Sequence, residues 1–331
     1  KGAVFEGENG SGKTNILESI YLLCTGRSQR CAKRSEMIIF TDQNAFIEGR
    51  FNDGLKEITT CIGFNRDKQV VMKTDGVSVN SFSEWFGQRP IVSFGSEDLI
   101  LVRGSPEDRR KFIDILGSQI DSTYLNTLIG YKHNLICRNK ILTENFDKLQ
   151  CEIYEEKMVE YGTEIFMKRK EIIEVLAPFF TEFYRKISGG RELAEIEYNP
   201  SIICNNSSKN EWKNVFYEML NERRKRDIEK GFSSIGPHRD DISFFIDHKP
   251  AKVFGSQGQC RSVVLSLKMS SVECIEKYRQ EGMIFLIDDA VSELDQSRTE
   301  RVYELVENRG QIFIASPVYG GRHREDLKRY I

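Results

Sequence analysis

Eight residues near the start of the chain, Gly7–Glu8–Asn9–Gly10–Ser11–Gly12–Lys13–Thr14, fit the pattern GxxxxGK[ST]. Its chemistry is phosphate binding. The glycines let backbone amides curl around an anion, Lys13 reaches the β- and γ-phosphates, and the Thr14 hydroxyl holds magnesium. A helix starting behind the loop adds its positive end. ATP is therefore the expected nucleotide and Mg2+ the expected metal.

A second chemical element lies far downstream. Met283–Ile284–Phe285–Leu286–Ile287 is apolar at every position and ends in Asp288–Asp289. Asp288 is placed to coordinate magnesium and Asp289 to polarise an attacking water. Two aspartates after a buried strand could equally cap the next helix; beside a phosphate loop they become nucleotide chemistry. Upstream of them, Ser256, Gly258 and Gln259 stand at the start of a helix carrying Val263 and Leu267, a second candidate anion cradle. Ser292–Glu293–Leu294–Asp295 follows, with Ser292 and Asp295 as the candidate D-loop residues. Phosphate loop, SxGQ, acidic strand end and SELD, in this order, is the arrangement of ABC-type ATPases. In that class the signature of one subunit closes over the nucleotide of another. One loop and one signature per chain predict a two-fold homodimer joined by ATP and released by hydrolysis.

These residues need elements to position them. Ala3–Glu6 reads as a strand into the loop, and Lys13 to about Cys24 as a helix, with Ile16, Ile20 and Leu23 at helical spacing. Ala45 to Val79 alternates and is broken by Asn52–Asp53–Gly54 and Thr74–Asp75–Gly76, which predicts a small antiparallel sheet. Ser105–Pro106–Glu107–Asp108 opens a helical middle. Apolar stripes from Ile120 to Leu142 and from Tyr154 to Val175 predict two facing helices of about 25 residues, roughly 40 Å long. Ile242–Ile246 is apolar, Gln259 to about Cys274 is helical, and Met283–Ile287 beside Gln311–Ala315 suggests a parallel sheet covered on both faces. The expected fold is α/β: an ABC-type P-loop head with a small antiparallel subdomain and an inserted compact helical lobe. Residues 1–100 and 231–331 are expected to form the head and 101–230 the lobe.

The bulk composition narrows the class. Hydrophobic residues make up 39% and charged residues 30%, ordinary for a soluble chain. No apolar run reaches a membrane span. The eight cysteines occur without a CxxC pair, so reduced thiols in the cytoplasm are expected. A net charge of −2 excludes a uniformly basic nucleic-acid binder and leaves DNA contact to local clusters. The chain opens on Lys1, six positions before the loop, so a native N-terminal segment is expected to precede it.

The stretch Gly7–Arg30, GENGSGKTNILESIYLLCTGRSQR, closely resembles the bacterial RecF recombination family. GPHRDD at Gly236–Asp241, FGSQGQCRSVVLSLK, FLIDDAVSELD and the segment Val92–Asp114 agree, so the resemblance spans essentially the whole chain. It implies a DNA-stimulated ATPase of gap repair that binds double-stranded DNA and single-strand/double-strand junctions, acts with RecO and RecR, and helps load recombinase. It also implies that Ser256 meets the γ-phosphate on the partner, and that Arg27 and Arg30 lie in a loop that approaches nucleotide or DNA in related heads. There are departures. Ser96 replaces the proline more common in the family, which leaves the Q-loop equivalent open. No histidine follows the Gln311 strand, where Ser316 is nearest. Asp289 is one methylene shorter than the usual glutamate, which implies slow turnover.

Further DNA-contact candidates come from basic clusters: Arg27–Arg34, Arg109–Arg110–Lys111, Lys132–Arg138–Lys140 and Arg223–Arg226. Each is more often a solvated helix face than a phosphate-binding surface. The alternative function, an ABC-type subunit driving a transporter, is disfavoured by the long separation of Gly7 from Ser256, the absent switch histidine and the aspartate pair. A small-molecule kinase would need neither SxGQ nor SELD. A non-hydrolysing ATP-gated scaffold differs only in turnover, and SMC-type heads require long coiled-coil insertions.

Overall fold

The computed structural model describes residues 2–8, 10–31, 33–52, 56–144, 146–204, 208–279, 282–288, 304, 310–316 and the backbone of 327–330. In chain order the elements are β1 (Gly2–Glu6), α1 (Lys13–Thr25), β2 (Asn44–Asn52), β3 (Glu57–Asn65), β4 (Val70–Thr74), β5 (Val77–Ser78), a one-turn α2 (Phe82–Trp85) and β6 (Ile91–Gly95). Then come a one-turn α3 (Ile100–Arg103), α4 (Pro106–Ile120), α5 (Ser122–Thr143), α6 (Lys148–Ser188), β7 (Ala194–Asn199), α7 (Lys209–Lys230), β8 (Asp241–Ile246) and β9 (Lys249–Pro250). A one-turn α8 (Ala251–Phe254), α9 (Gln257–Tyr278), β10 (Met283–Asp288), β11 (Gly310–Ser316) and β12 (Leu327–Tyr330) complete them.

The chain divides into two compact units, Lys1–Asp98 with Ser271–Ile331, and Leu99–Ser270. In the first unit a parallel sheet runs in the order β12-β1-β11-β10-β6. Continuous burial from Met283 to Ile287 accounts for the unbroken apolar run, because both faces of that strand are covered. Helix α1 is shared between two cores. Leu17, Tyr21 and Cys24 pack on Ile91, Ile284 and Leu286 of the parallel sheet. Leu22 and Leu23 pack with Ile62, Phe64 and Trp85 beneath the antiparallel sheet β2-β3-β4-β5. The helix ends at Gly26 in a left-handed conformation (φ 71°), whose amide bonds Leu22 O at 2.7 Å. A Cβ there would press on the Phe82 and Trp85 rings.

In the second unit, Ser105 caps α4 with both its amide and its hydroxyl on the Asp108 carboxylate, each at 2.8 Å. Helices α5 and α6 pack together, but α6 is 41 residues long, well beyond the length the apolar stripe suggests. It runs through Pro178, and the extension buries Phe180, Phe183, Tyr184 and Ile187; that burial outweighs the one backbone bond proline removes. Among the elements that escape the sequence reading are one helix and one strand of the second unit. Helix α7 buries only Trp212, Phe216 and Leu220 of its apolar residues, and β7 pairs antiparallel with β8. From the sequence the segment after residue 230 is expected with the head. In the compact units the break falls at residue 270, because β8 joins a three-stranded sheet with β7 and β9 in the helical unit.

Candidate nucleotide and DNA sites

The phosphate loop joins β1 to α1 as its spacing requires. Gly10 (φ 88°) and Gly12 (φ 95°) adopt left-handed backbone, and a Cβ at either would meet nothing within 4 Å. Glycine is needed there for conformation, not for space, which is the demand of a loop that aims its amides inward. Gly12 forms the N-terminal boundary of α1, whose first turn holds no acidic residue. The positive helix end is therefore left to an anion. The Lys13 ammonium donates to Gly7 O at 2.6 Å and Glu8 O at 2.7 Å, which keeps it inside the curl. Asn9 lies outside the described residues.

The acid that matters is 274 positions away in sequence and in contact. The Thr14 hydroxyl donates to Asp288 Oδ1 at 3.1 Å. Sheet register explains how. β11 lies between β1 and β10, Glu6 pairs with Ser316, and Asp288 pairs with Ala315 on one side and Gly95 on the other. The carboxyl ends of β1, β11, β10 and β6 thus end level, and ligands of open α/β sheets bind beyond such ends. A hydroxyl and a carboxylate oxygen this close are a hard-oxygen pair that suits magnesium held jointly with phosphates. Ser96 follows β6 directly, in a tight turn where Asp98 accepts from the Gly95 amide at 2.8 Å. Asp289, Ser292 and Asp295 lie outside the described residues.

The signature residues open α9. Ser256 and Gln259 cap one another: the Ser256 amide donates to Gln259 Oε1 at 2.8 Å, and the Gln259 amide to Ser256 Oγ at 3.2 Å. Gln259 Nε2 donates to Glu192 at 2.7 Å, and the Tyr184 hydroxyl holds the other oxygen of that carboxylate at 2.7 Å. Glu192 thus orients the signature glutamine from a distant turn, and no feature of its own sequence context marks it. Ser256 remains exposed, beside Val253 and Phe254 at 71% and 67% exposure.

The basic clusters separate sharply. Arg27 and Arg30 are exposed. Arg27 lies 4.3 Å over the Phe82 ring, and Arg30 meets Glu97 at 3.7 Å across a solvated pair, worth little and easily exchanged for phosphate. Arg109 is different. It is 4% exposed and grips Asp241 with two bonds at 2.7 and 3.0 Å, and Arg110 donates to Asp240 O at 2.6 Å. The sequence reading offers Arg109 and Arg110 as DNA contacts; in the structure both tie α4 to the GPHRDD segment. A doublet of arginines shows charge but not burial, so their partners could not be read off.

GPHRDD itself is structural in the same sense. Arg169 holds Asp114 with two bonds at 3.0 and 2.9 Å, Asp240 at 2.8 Å and Pro237 O at 2.6 Å. Burial works against the charge on Arg169, but the Asp114 carboxylate together with the Tyr124 and Tyr198 oxygens outweighs it and holds the guanidinium protonated well above its usual range. His238 is wedged between the Tyr131 hydroxyl (2.8 Å) and Ser233 O (3.0 Å), and burial pushes its pKa down to about 4. Arg138, from another basic cluster, is fully buried against Glu155 and Asp227 at 2.9 Å each. From the fourth cluster, Arg224 joins Glu155 in the same network.

No family model matches the chain. Among curated proteins it is 37% identical over 325 residues to the DNA replication and repair protein RecF of Natranaerobius thermophilus, covering 95% of this chain and 84% of that one. It is 34% identical over 330 residues to RecF of Bacillus cytotoxicus, covering 98% and 88%. Two solved structures of the recombination mediator protein RecF in the RecFOR pathway, described as RecF-ATP and RecF-ATPrS, align with TM-scores of 0.91 and 0.90 at 30% identity. The first covers 99% of this chain and 88% of the solved one, the second 100% and 90%. An Smc head from Pyrococcus furiosus shares the fold alone, with a TM-score of 0.52 at 17% identity. Identity at this level over nearly the whole length, on a head whose phosphate loop meets its acidic strand end, establishes that the chain belongs to the RecF family of DNA replication and repair proteins.

Proposed function

We propose that this chain is an ATP-dependent DNA-binding protein of recombinational gap repair, an ATPase that closes as a homodimer on DNA. The contact of Thr14 with Asp288 carries the reading, because it joins the two halves of a nucleotide site from opposite ends of the sequence. Solved relatives described as RecF-ATP and RecF-ATPrS support ATP as the ligand.

The chain's own groups divide the work. Amides of Gly10 to Thr14 and the α1 dipole receive the phosphates. Lys13 exchanges Gly7 O and Glu8 O for the β- and γ-phosphate oxygens. Thr14 and Asp288 would hold magnesium, which when bound neutralises charge developing on the phosphates. Asp289 orients the attacking water and takes its proton. Ser256, Gly258 and Gln259 of the partner subunit would close over the γ-phosphate, with Ser292 and Asp295 beside them. ATP then acts as the adhesive between protomers and hydrolysis as the release. An aspartate at 289 reaches less far than a glutamate, consistent with slow, DNA-stimulated turnover.

Arg27 and Arg30 are the proposed phosphate contacts for double-stranded DNA and single-strand/double-strand junctions. RecO and RecR are the proposed partners, since the solved relatives are placed in the RecFOR pathway, and the cytoplasm is the proposed compartment. Among the described residues no helix is long and apolar enough to cross a membrane. The deciding experiment measures ATP turnover with and without duplex DNA, and sizing with and without ATP and Mg2+, for this chain and Lys13→Ala. Turnover raised by DNA, abolished by the substitution and accompanied by an ATP-dependent dimer is expected. Turnover indifferent to DNA, or a monomer throughout, would remove the clamp.

A further inference from the structure

The loop between the basic segment and β2 presents apolar side chains to water in a way the nucleotide chemistry does not explain. Ile38 points inward at 4% exposure and anchors the loop in the core beneath the antiparallel sheet. The next two residues turn outward: Ile39 is 69% exposed and Phe40 99%. Single exposed apolar residues need no explanation, but two adjacent ones on a fixed loop are another matter. A second side chain ties the loop down. Arg66, from the β3–β4 turn, donates Nε to Asp42 O at 2.9 Å and Nη2 to Ile39 O at 3.1 Å and Ile38 O at 3.4 Å. Its own amide bonds Gln43 O at 3.1 Å, and the Asp42 amide closes onto Ile39 O at 2.9 Å. An arginine that satisfies three carbonyls keeps the tip ordered, so little entropy remains to be lost when Phe40 meets a partner.

Charge says what the partner is. Between positions 27 and 40 the chain carries Arg27, Arg30, Lys33 and Arg34 against the single acid Glu36, in a protein whose net charge is −2. Arg27, Arg30 and Lys33 are exposed. A fixed aromatic at the end of a basic segment matches the chemistry of nucleic acid with an accessible base face: cations track the phosphates and a ring stacks on an unpaired or terminal base. A protein partner would more usually bury its aromatic anchor among apolar neighbours with charge excluded from the centre.

We infer that the Ile39–Phe40 tip is a base-stacking element that seats on the unpaired strand where duplex DNA ends, with Arg27, Arg30 and Lys33 holding the adjoining phosphates. This deepens the proposed DNA-binding function and rests on it. Because Phe40 touches so little of its own chain, Phe40→Ala should fold as the parent does, which circular dichroism and thermal melting verify.

Binding is measured by fluorescence anisotropy on two probes: a blunt duplex, and the same duplex with a single-stranded overhang. Phe40→Ala should weaken overhang binding about tenfold and leave blunt-duplex binding and its salt dependence unchanged. Phe40→Trp should keep overhang affinity and show tryptophan emission quenched by the overhang probe. Arg30→Ala with Lys33→Ala should weaken both probes and flatten the salt dependence. If Phe40→Ala binds the overhang as tightly as the parent does, the stacking role is overturned and the tip belongs to a protein partner. If the parent binds neither probe, the DNA-binding function falls first and this inference with it.

Discussion

Two regions of this molecule use charge in opposite ways. At the nucleotide end of the parallel sheet, Lys13, Thr14 and Asp288 are few, half-exposed, and bonded to groups that substrate can replace. In the helical unit, Arg138, Arg169, Glu155, Asp227 and Asp240 are buried and meet one another through ion pairs and multiple bonds. The first set is poised to exchange partners; the second would lose too much by doing so. Motif conspicuity does not separate the two. Burial and the identity of the partner do. GPHRDD is as memorable as the phosphate loop, yet in this chain its side chains mainly bind the helical unit to itself.

The comparison can be broken by substitution. Arg138→Ala leaves Glu155 and Asp227 without their common partner and should cost about 3–5 kcal/mol of stability, read as a Tm lower by roughly 10 °C. Asp288→Asn, in contrast, should abolish ATP turnover with a stability change within about 0.5 kcal/mol. Equal Tm losses for both would dissolve the distinction. Lys13→Ala should lower turnover about a hundredfold or more and leave the melting profile unchanged, as single-turnover kinetics and calorimetry can test.

The next effect is smaller and depends on pH. His238 is held near pH 4 in the folded state against about 6.5 when unfolded. The unfolded chain therefore binds the extra proton between those values, and stability should fall as pH drops from 7 towards 4, by at most about 3 kcal/mol. His238→Gln, which retains a hydrogen-bonding tip, should flatten the melting profile in that window. A profile unaltered by the change would mean the histidine is not the titrating group. The smallest effect belongs to the surface: Arg30→Ala should lower the salt slope of DNA binding by about one phosphate, while Arg109→Met should lower Tm and leave the slope alone.

Much of the head was legible from residues alone. β1, α1, β10 and β11 stood out because a strand covered on both faces must be apolar throughout and a phosphate loop must follow a strand and open a helix. β7 carries a short alternation, Ala194, Ile196 and Tyr198, that the charged residues between them make weak beside two long helices. Helix α7 was hidden for a physical reason: three buried residues, Trp212, Phe216 and Leu220, hold it in a core built mostly by others, so its own sequence is dominated by solvated charge. The intramolecular partners of Arg109 and Arg110 were not legible, because a guanidinium seeks carboxylates and carbonyls as readily as phosphates. The pairing of Thr14 with Asp288 was foreseeable as chemistry, whereas Glu192 behind Gln259 was not, because that contact exists only through tertiary packing.

The position of β1 in its sheet has a consequence for how the protein is made. Both strands that flank it, β11 and β12, come from the last part of the chain, with Gly2 opposite Ile312 and Leu327. At roughly 5–20 residues per second of synthesis, the first strand waits about 15–60 s for its first neighbour to leave the ribosome. The helical unit is one unbroken segment, Leu99–Ser270, and can complete itself meanwhile. A nascent chain would thus carry a finished helical body while its phosphate loop still lacked the aspartate that faces it. The two halves of the nucleotide site would then meet only after Asp288, 274 positions beyond Thr14, has followed the helical unit out of the ribosome.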